Sequence, residues 1–317
     1  MMAGAPALAA VDWGTSRFRL WLLDSEGRVL ALSKGSEGLE AGRRLGFEKV
    51  LRNHLGRLLA PEALPILICG MAGSHEGWLE APYVSLPASL DQIAEAVVAV
   101  AGTDLDVRIV PGLAKRDPAA PDVMRGEETQ LIGVAAGGGA GRRRVCLPGT
   151  HSKWVALEDR RVEDFASYLT GELFALLSEH SILRHSLAGI DAEAPVDPGN
   201  PVFVQALEHT LSAPERFFAE LFSIRAAGLL NKLASADAAA RLSGYLIGAE
   251  VATALRDEAA PAAVTLVASG DMARLYGVAL AAAGAAVETV DADGAARAGL
   301  MAIATRCIAG GLARQGA

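Results

Sequence analysis

Apolar residues run from Leu8 to Val11 and stop at an acid, Asp12. A second apolar stretch, Phe18 to Asp24 (FRLWLLD), turns through Ser25-Glu26-Gly27 into RVLALS. Three strands in succession joined by tight turns predict a β-meander. From Phe47 to Leu59 the period changes: Phe47, Val50, Leu51, Leu55, Leu58 and Leu59 share one helical face. LPILICG (64–70) is short and wholly apolar, as a strand buried on both faces would be. A helix is predicted over Leu90–Val100, a strand at DVRIVPG (106–112), and a helix opening at GEETQLIGVAA (126–136) with acids in its first turn.

The pattern then restarts. RVCLPGTH, SKWVALED and RRVEDF read as three further strands, and Gly149-Thr150 lies over Gly14-Thr15 at an offset of 135 residues. In that register Leu20 meets Val155, Leu22 meets Leu157 and Asp24 meets Asp159, a faint internal duplication. Four helical segments follow: TGELFALLSEHSIL, PVFVQALEHTL, PERFFAELFSIRAAGLL and ARLSGYLIGAEVATALRDE. Strand AVTLVAS leads through Gly270-Asp271 into helix MARLYGVALAAAG, and strand AVETVDA precedes a closing helix, GAARAGLMAIATRCIAG. The stretch Asp191–Pro201, rich in Pro, Asp and Ala, is expected to be an exposed loop, and the residues before the first strand a short disordered lead. Strands followed by helices, twice over, predict an α/β protein of two similar lobes with a ligand cleft between them.

Composition narrows the class. Of 317 residues, 51% are hydrophobic and 21% charged, which is a globular balance with material for about two domains. A net charge of −8 without a basic block argues against a nucleic-acid surface, and Arg142–Arg144 reads as a solvated turn. Cys69, Cys146 and Cys307 sit singly in apolar runs, as reduced, inert thiols of a cytoplasmic protein do. No apolar run predicts a membrane span, and there is no secretory leader pattern.

Candidate chemistry sits at the turns. Asp12 ends a buried strand, and Gly14, Thr15, Ser16 and Arg17 follow; backbone N–H groups and hydroxyls suit phosphate, and the acid suits water-bridged Mg²⁺. An ordinary hairpin has the same outline. Gly149, Thr150, His151, Ser152 and Lys153 repeat this turn chemistry with a lysine added, although His151 alone is as well explained as a structural histidine and Lys153 as a strand residue. Between the turns, Arg125-Gly126-Glu127-Glu128 opens a helix; a carboxylate there can accept a hydroxyl proton, or simply complement the helix dipole. The Gly-rich stretch Gly70–Trp78, with Gly73, Ser74 and His75, follows a buried strand where ligand loops belong. Gly270 and Asp271 form one more strand–Gly–helix turn. Walker A, kinase Gly-rich, Ser-His-Asp and HExxH patterns do not occur.

Taken in order, VDWGTSRFRLWLLD, CGMAGSHEGWLEAPYVSLPA, MRGEETQLIG, LPGTHSKWV and FASYLTGELFALLSEHSIL resemble the 2-dehydro-3-deoxygalactonokinase family, over about Ala10–Ala304. The resemblance implies the sugar kinase–actin fold, with two ribonuclease-H-like lobes: residues 1–135 on the sugar side, and 136–317, with a helical insertion, on the nucleotide side. It implies transfer of the ATP γ-phosphate, with Mg²⁺, to the 6-hydroxyl of 2-dehydro-3-deoxy-D-galactonate in galactonate breakdown. On this pattern Asp12–Ser16 is the first phosphate loop, Leu147–His151 the second, and Gly270-Asp271 lies by the adenosine; Arg17 or Lys153 is expected to offset charge on the phosphates or the substrate carboxylate, and Gly73, Ser74, His75, Arg125 and His151 are the candidates for the sugar acid. Gly126-Glu127 is similar to the Gly-Asp of glycerol-kinase relatives and favours Glu127 as base. Glu127–Thr129 is similar to the Asn-Asp-Thr of hexokinase relatives and favours Glu128. Two alternatives stay open: a kinase of another keto-deoxy sugar acid or sugar, and a non-catalytic nucleotide-binding regulator on the same fold. Oligomeric state is not legible, and a homo-oligomer is compatible with every feature above.

Overall fold

The computed structural model describes residues 4–138, 141–189, 196–256 and 263–314. Parts of the expected N-terminal lead, of the Gly137–Gly141 turn and of the Asp191–Pro201 loop lie outside the described residues; the end of the lead is tied down, with the Ala7 N–H donating to the Leu23 carbonyl at 2.8 Å. The chain forms two compact units: Met1–Arg142 with Leu157–Phe165 and Ala292–Ala317, and Arg143–Ala156 with Ala166–Asp291.

The first unit opens with β1 (Leu8–Trp13), β2 (Phe18–Leu23) and β3 (Val29–Gly35), then α1 (Leu39–Leu45), α2 (Phe47–Arg57) and β4 (Ile66–Gly70). Next come β5 (Tyr83–Ser85), β6 (Ala88–Ser89), α3 (Leu90–Glu95), β7 (Val98–Ala99), β8 (Val107–Ile109), β9 (Gly112–Lys115), β10 (Asp122–Met124) and α4 (Glu127–Ala136). Its main sheet runs β3-β2-β1-β4-β8-β7. The meander β1–β2–β3 is antiparallel, and β4 lies parallel to both β1 and β8. The central strands β1 and β4 are apolar because both faces are covered, and β4 is buried throughout. Trp13, Phe18, Leu20, Leu51 and Ile68 are the heart of this core, with the Trp13 and Phe18 rings edge to face at 4.7 Å.

The helix expected over Leu90–Val100 is shorter. Ser89 and Gln92 form a capping box at its start, but α3 ends at Glu95, and β7 pairs antiparallel with β8. Val97, Val98 and Val100 carry β-branched side chains that suit the sheet better than a helix. A small sheet, β10-β9-β5, has strands too short for alternation to reveal. The last helix, α10 (Ala292–Arg314), returns to this unit and packs on α4. Glycines permit the approach: a Cβ on Gly133 would lie 1.9 Å from the Ala295 carbonyl oxygen, and one on Gly299 the same distance from that of Thr129.

The second sheet runs β15-β14-β11-β12-β13-β6, built from β11 (Arg142–Leu147), β12 (Ser152–Glu158), β13 (Arg161–Tyr168), β14 (Ala263–Val267) and β15 (Ala286–Val290), with β6 antiparallel to β13 at its edge. β14 is parallel to β11 and β15. Both sheets thus share a plan: second and third strands on one side of the first, fourth and fifth, parallel to it, on the other. The 135-residue sequence repeat marks this plan, since Gly14-Thr15 and Gly149-Thr150 occupy the turn from first to second strand in each. Helices α5 (Thr170–Glu179), α6 (Pro201–Ser212), α7 (Phe217–Asn231), α8 (Ser235–Ala254) and α9 (Gly270–Ala282) complete the unit, with Trp154, Phe203, Leu207, Leu266 and Tyr276 in its core.

Arg142–Arg144 is not the solvated turn expected from its charge. It opens β11, where Arg144 lies over the Trp154 ring at 5.9 Å and donates to the Ala254 carbonyl. Cys69 and Cys146 are buried, and the half-buried Cys307 thiol donates to the Ala94 carbonyl. Among the described residues no helix is long and apolar enough to cross a membrane, and no cluster of His, Cys, Asp and Glu suits a metal.

Candidate active site

In the first unit, the ends of β1 and β4 and the start of α4 converge. Gly126, at φ 110°, is the residue before α4, and a Cβ on it would touch Gly70 Cα at 3.4 Å. A side chain in that backbone region is strained, so glycine is what lets α4 start here. Asp12 is partly buried. Its Oδ2 accepts from Arg19 Nη1 at 2.9 Å, and Arg19 Nε lies 3.5 Å from Asp293 at the start of α10. Burial raises the Asp12 pKa; Arg19 opposes the shift, and the charges of Asp293 and Glu127 add to it.

Glu127 and Glu128 are treated differently by the fold. Glu127 is half-buried, and its Oε2 accepts from the Arg125 backbone N–H at 3.1 Å. Glu128 is wholly buried; its Oε2 accepts from the Gly126 N–H at 2.6 Å, and its Oε1 from the Thr129 hydroxyl at 3.0 Å. Burial, with the Glu127 charge beside it, pushes the Glu128 carboxyl up to about 8. Glu128 is therefore chiefly a neutral acid at pH 7, while Glu127 is the one open to solvent.

Arg125 lies over Tyr83 at 4.3 Å and donates through Nη2 to the Ala81 carbonyl, while a Cβ on Gly73 would come within 2.9 Å of Nη1. Gly73 and Arg125 are thus brought together. Ser74 turns its hydroxyl to the Met71 carbonyl. His75 stands in solvent with Nδ1 3.0 Å from Glu80, which raises its pKa. The Gly14–Arg17 turn is closed by Gly14 N–H donating to the Arg17 carbonyl at 2.8 Å, and exposes Thr15, Ser16 and Arg17. Leu39 N–H donates to the Gly14 and Thr15 carbonyls behind it.

In the second unit, Gly149 N–H donates to Ser152 Oγ at 3.4 Å, and the Thr150 carbonyl accepts from the Glu172 N–H at 3.0 Å. His151 Nε2 lies 2.5 Å from Glu172 Oε2. Lys153 is buried, with Nζ donating to the His151 carbonyl at 3.0 Å, so its ammonium lies beneath the turn and not out in solvent. Gly270 begins α9 at φ 59°, Asp271 pairs with Arg274, and Ser269 Oγ donates to Asp291 Oδ2 at 2.6 Å.

Sequence reading did not find Arg19, Asp293, Glu172, Glu250 or Tyr276. Arg19 carried a signal, since a four-residue turn places it directly across from Asp12. Asp293 and Glu250 had none, because their partners lie far away in the chain.

A family model described as 2-keto-3-deoxy-galactonokinase matches residues 12–303. The chain belongs to this family. A protein of Rhizobium meliloti (strain 1021) named as a probable 2-dehydro-3-deoxygalactonokinase is 50% identical over 96% of this chain and 98% of its own length. The 2-dehydro-3-deoxygalactonokinase of Escherichia coli (strain K12) is 36% identical over 93% and 96%. A crystal structure of a Sinorhizobium meliloti protein, 50% identical, covers 95% of this chain and 99% of that one with a TM-score of 0.89. At the level of fold alone, the activator of 2-hydroxyisocaproyl-CoA dehydratase from Clostridium difficile matches with a TM-score of 0.51 at 13% identity, covering 96% of each chain. The galactonokinase-family chain therefore has the sugar kinase–actin fold that the family resemblance implied.

Proposed function

We infer that this chain is an ATP-dependent kinase that phosphorylates the 6-hydroxyl of 2-dehydro-3-deoxy-D-galactonate in galactonate catabolism. The observation that carries this reading is the family match from Asp12 to Ile303, which takes in both glycine turns and the paired glutamates. The donor chemistry fits a nucleotide: each turn exposes a threonine hydroxyl, and Lys153 adds positive charge under the second. Asp12 is the residue for Mg²⁺, since Arg19 engages only its Oδ2. ATP, when bound, supplies the phosphoryl group, and Mg²⁺ screens its charge.

The protein's own contribution is positioning and proton handling. In the first unit Thr15, Ser16 and Arg17 are assigned to phosphate oxygens; in the second unit Gly149 and Thr150 are, with Lys153 adding charge beneath the turn and Gly270 and Asp271 assigned to the adenosine. Gly73, Ser74, His75, Arg125 and His151 are assigned to the sugar acid. Glu127 accepts the proton of the attacking hydroxyl, because it is the less buried member of the pair. Glu128, neutral and bonded to the Gly126 N–H, holds the backbone from which Glu127 projects.

ADP release measured with and without 2-dehydro-3-deoxy-D-galactonate tests the reading: acceptor-dependent release is expected, and release indifferent to the acceptor overturns it. In the same assay Glu127→Gln is expected to lower turnover by about 10²–10⁴-fold, the usual worth of a general base. Near-native turnover of that variant removes Glu127 from the role.

A further inference from the structure

Glu250 lies on α8, in the interior of the second unit, and only 2% of its surface is exposed. Three side chains from three other elements donate to its carboxylate. Trp154 of β12 gives its indole N–H to Oε1 at 2.8 Å, Tyr276 of α9 its hydroxyl to Oε2 at 2.7 Å, and Thr170 at the start of α5 its hydroxyl to Oε2. The network continues to the turn. With the Tyr276 hydroxyl committed to Glu250, Ser152 donates to Tyr276 Oη at 3.1 Å, and Gly149 N–H donates to Ser152 Oγ. A directed chain of hydrogen bonds thus runs from the backbone of the Gly149–Lys153 turn to one buried carboxylate.

The other donors border the same region. Thr170 precedes Gly171, where a Cβ would lie 2.5 Å from the Gly149 carbonyl oxygen and 2.8 Å from Thr150 Cα. Tyr276 lies six residues into the helix that begins at Gly270-Asp271, roughly 9 Å along its axis. A buried carboxylate is a poor means of stabilising a core, since well-packed apolar side chains do as well or better. What it offers is fixed direction, because each donor must point at it.

We propose that Glu250 is a positioning residue that ties the Gly149–Lys153 turn and the α9 start at Gly270-Asp271 into one frame, and so sets affinity for the nucleotide. This rests on the reading of those two segments as nucleotide loops, and the experiment separates the two ideas. Full-length Tyr276→Phe keeps the ring but removes the link between Ser152 and Glu250; Glu250→Gln sets an amide N–H against donors; Thr150→Ala reports on the turn itself. Binding of a non-hydrolysable ATP analogue with Mg²⁺ is read by titration calorimetry, KM for ATP and for the sugar acid by ADP release, and folding by urea denaturation.

Tyr276→Phe and Glu250→Gln are each expected to weaken analogue binding by about tenfold, or 1.4 kcal/mol, with KM for ATP rising in parallel. KM for the sugar acid is expected to stay within about twofold. A general loosening of the protein would not divide the two substrates in this way. If Thr150→Ala weakens binding while Tyr276→Phe and Glu250→Gln do not, Glu250 is a structural residue only and the proposal falls. If all three bind the analogue as the natural protein does, the phosphate reading of the turn falls and takes the proposal with it. Should Glu250→Gln not fold, Tyr276→Phe decides.

Discussion

A carboxylate in the first turn of a helix gains from the helix dipole, yet Glu128 is buried so completely that this gain is outweighed and its pKa rises to about 8. The folded protein keeps a proton that the unfolded chain releases near its ordinary value of 4.5. Stability from this group is therefore fully present below about 4.5 and declines as the pH rises towards about 8. Glu128→Gln replaces the neutral acid with a neutral amide and is expected to flatten that decline. Urea midpoints of both proteins across this window test it, and parallel curves would refute the assignment. Turnover of Glu128→Gln should stay close to that of the natural chain, in contrast to Glu127→Gln. Nothing in the letters Glu-Glu distinguishes the two. Their difference comes from the start of α4, where Gly126 turns the backbone so that the Glu128 carboxyl bonds the Gly126 N–H from inside.

Among the elements, those built on apolar runs or periods were legible in the sequence, the short β8 among them, and the strands of the small sheet were not. Both meanders, the helices from α5 to α9 and the closing helix follow from pattern, because apolar residues recur along each at a regular spacing. The strands β5, β9 and β10 escaped, since three or four residues carry too little period, and Val97–Val100 was misread because Ala and Val runs serve helix and strand alike. The close packing of α4 on α10 was legible only as an abundance of Gly and Ala. It carries a sharp expectation: Gly299→Ala should cost about 1–3 kcal/mol, as overpacking does, because its methyl would strike the Thr129 backbone. Gly56→Ala in α2 is the control; no atom lies within 4 Å of the new methyl, and a gain of about 0.5–1 kcal/mol is expected. Equal effects in urea denaturation would show that the α4–α10 approach is looser than described.

At the scale of the whole molecule, the internal repeat gave away the doubled sheet plan, and the turns at equivalent places in it gave the candidate phosphate loops. The buried carboxylate Glu250 and the counter-ion Asp293 were invisible, because the repeat says nothing about which distant side chains meet beneath a turn. Removal of residues 292–317 tests the role of α10 in the first unit. Loss of the helix would strip cover from α4 and from β1, so collapse of cooperative unfolding is expected, seen by circular dichroism and limited proteolysis. A truncated chain that unfolds as sharply as the full one would contradict this.

The return of α10 to the first unit also orders events during synthesis. Residues 1–142 are made before the second unit and lack this helix until residue 292 and those after it follow. At about 5–20 residues per second the wait is of order ten seconds or more. Meanwhile the Val11 and Ile68 strands and the small-residue face of α4 stand uncovered, a natural client surface for a chaperone, whereas every segment of the second unit has emerged before α10 does.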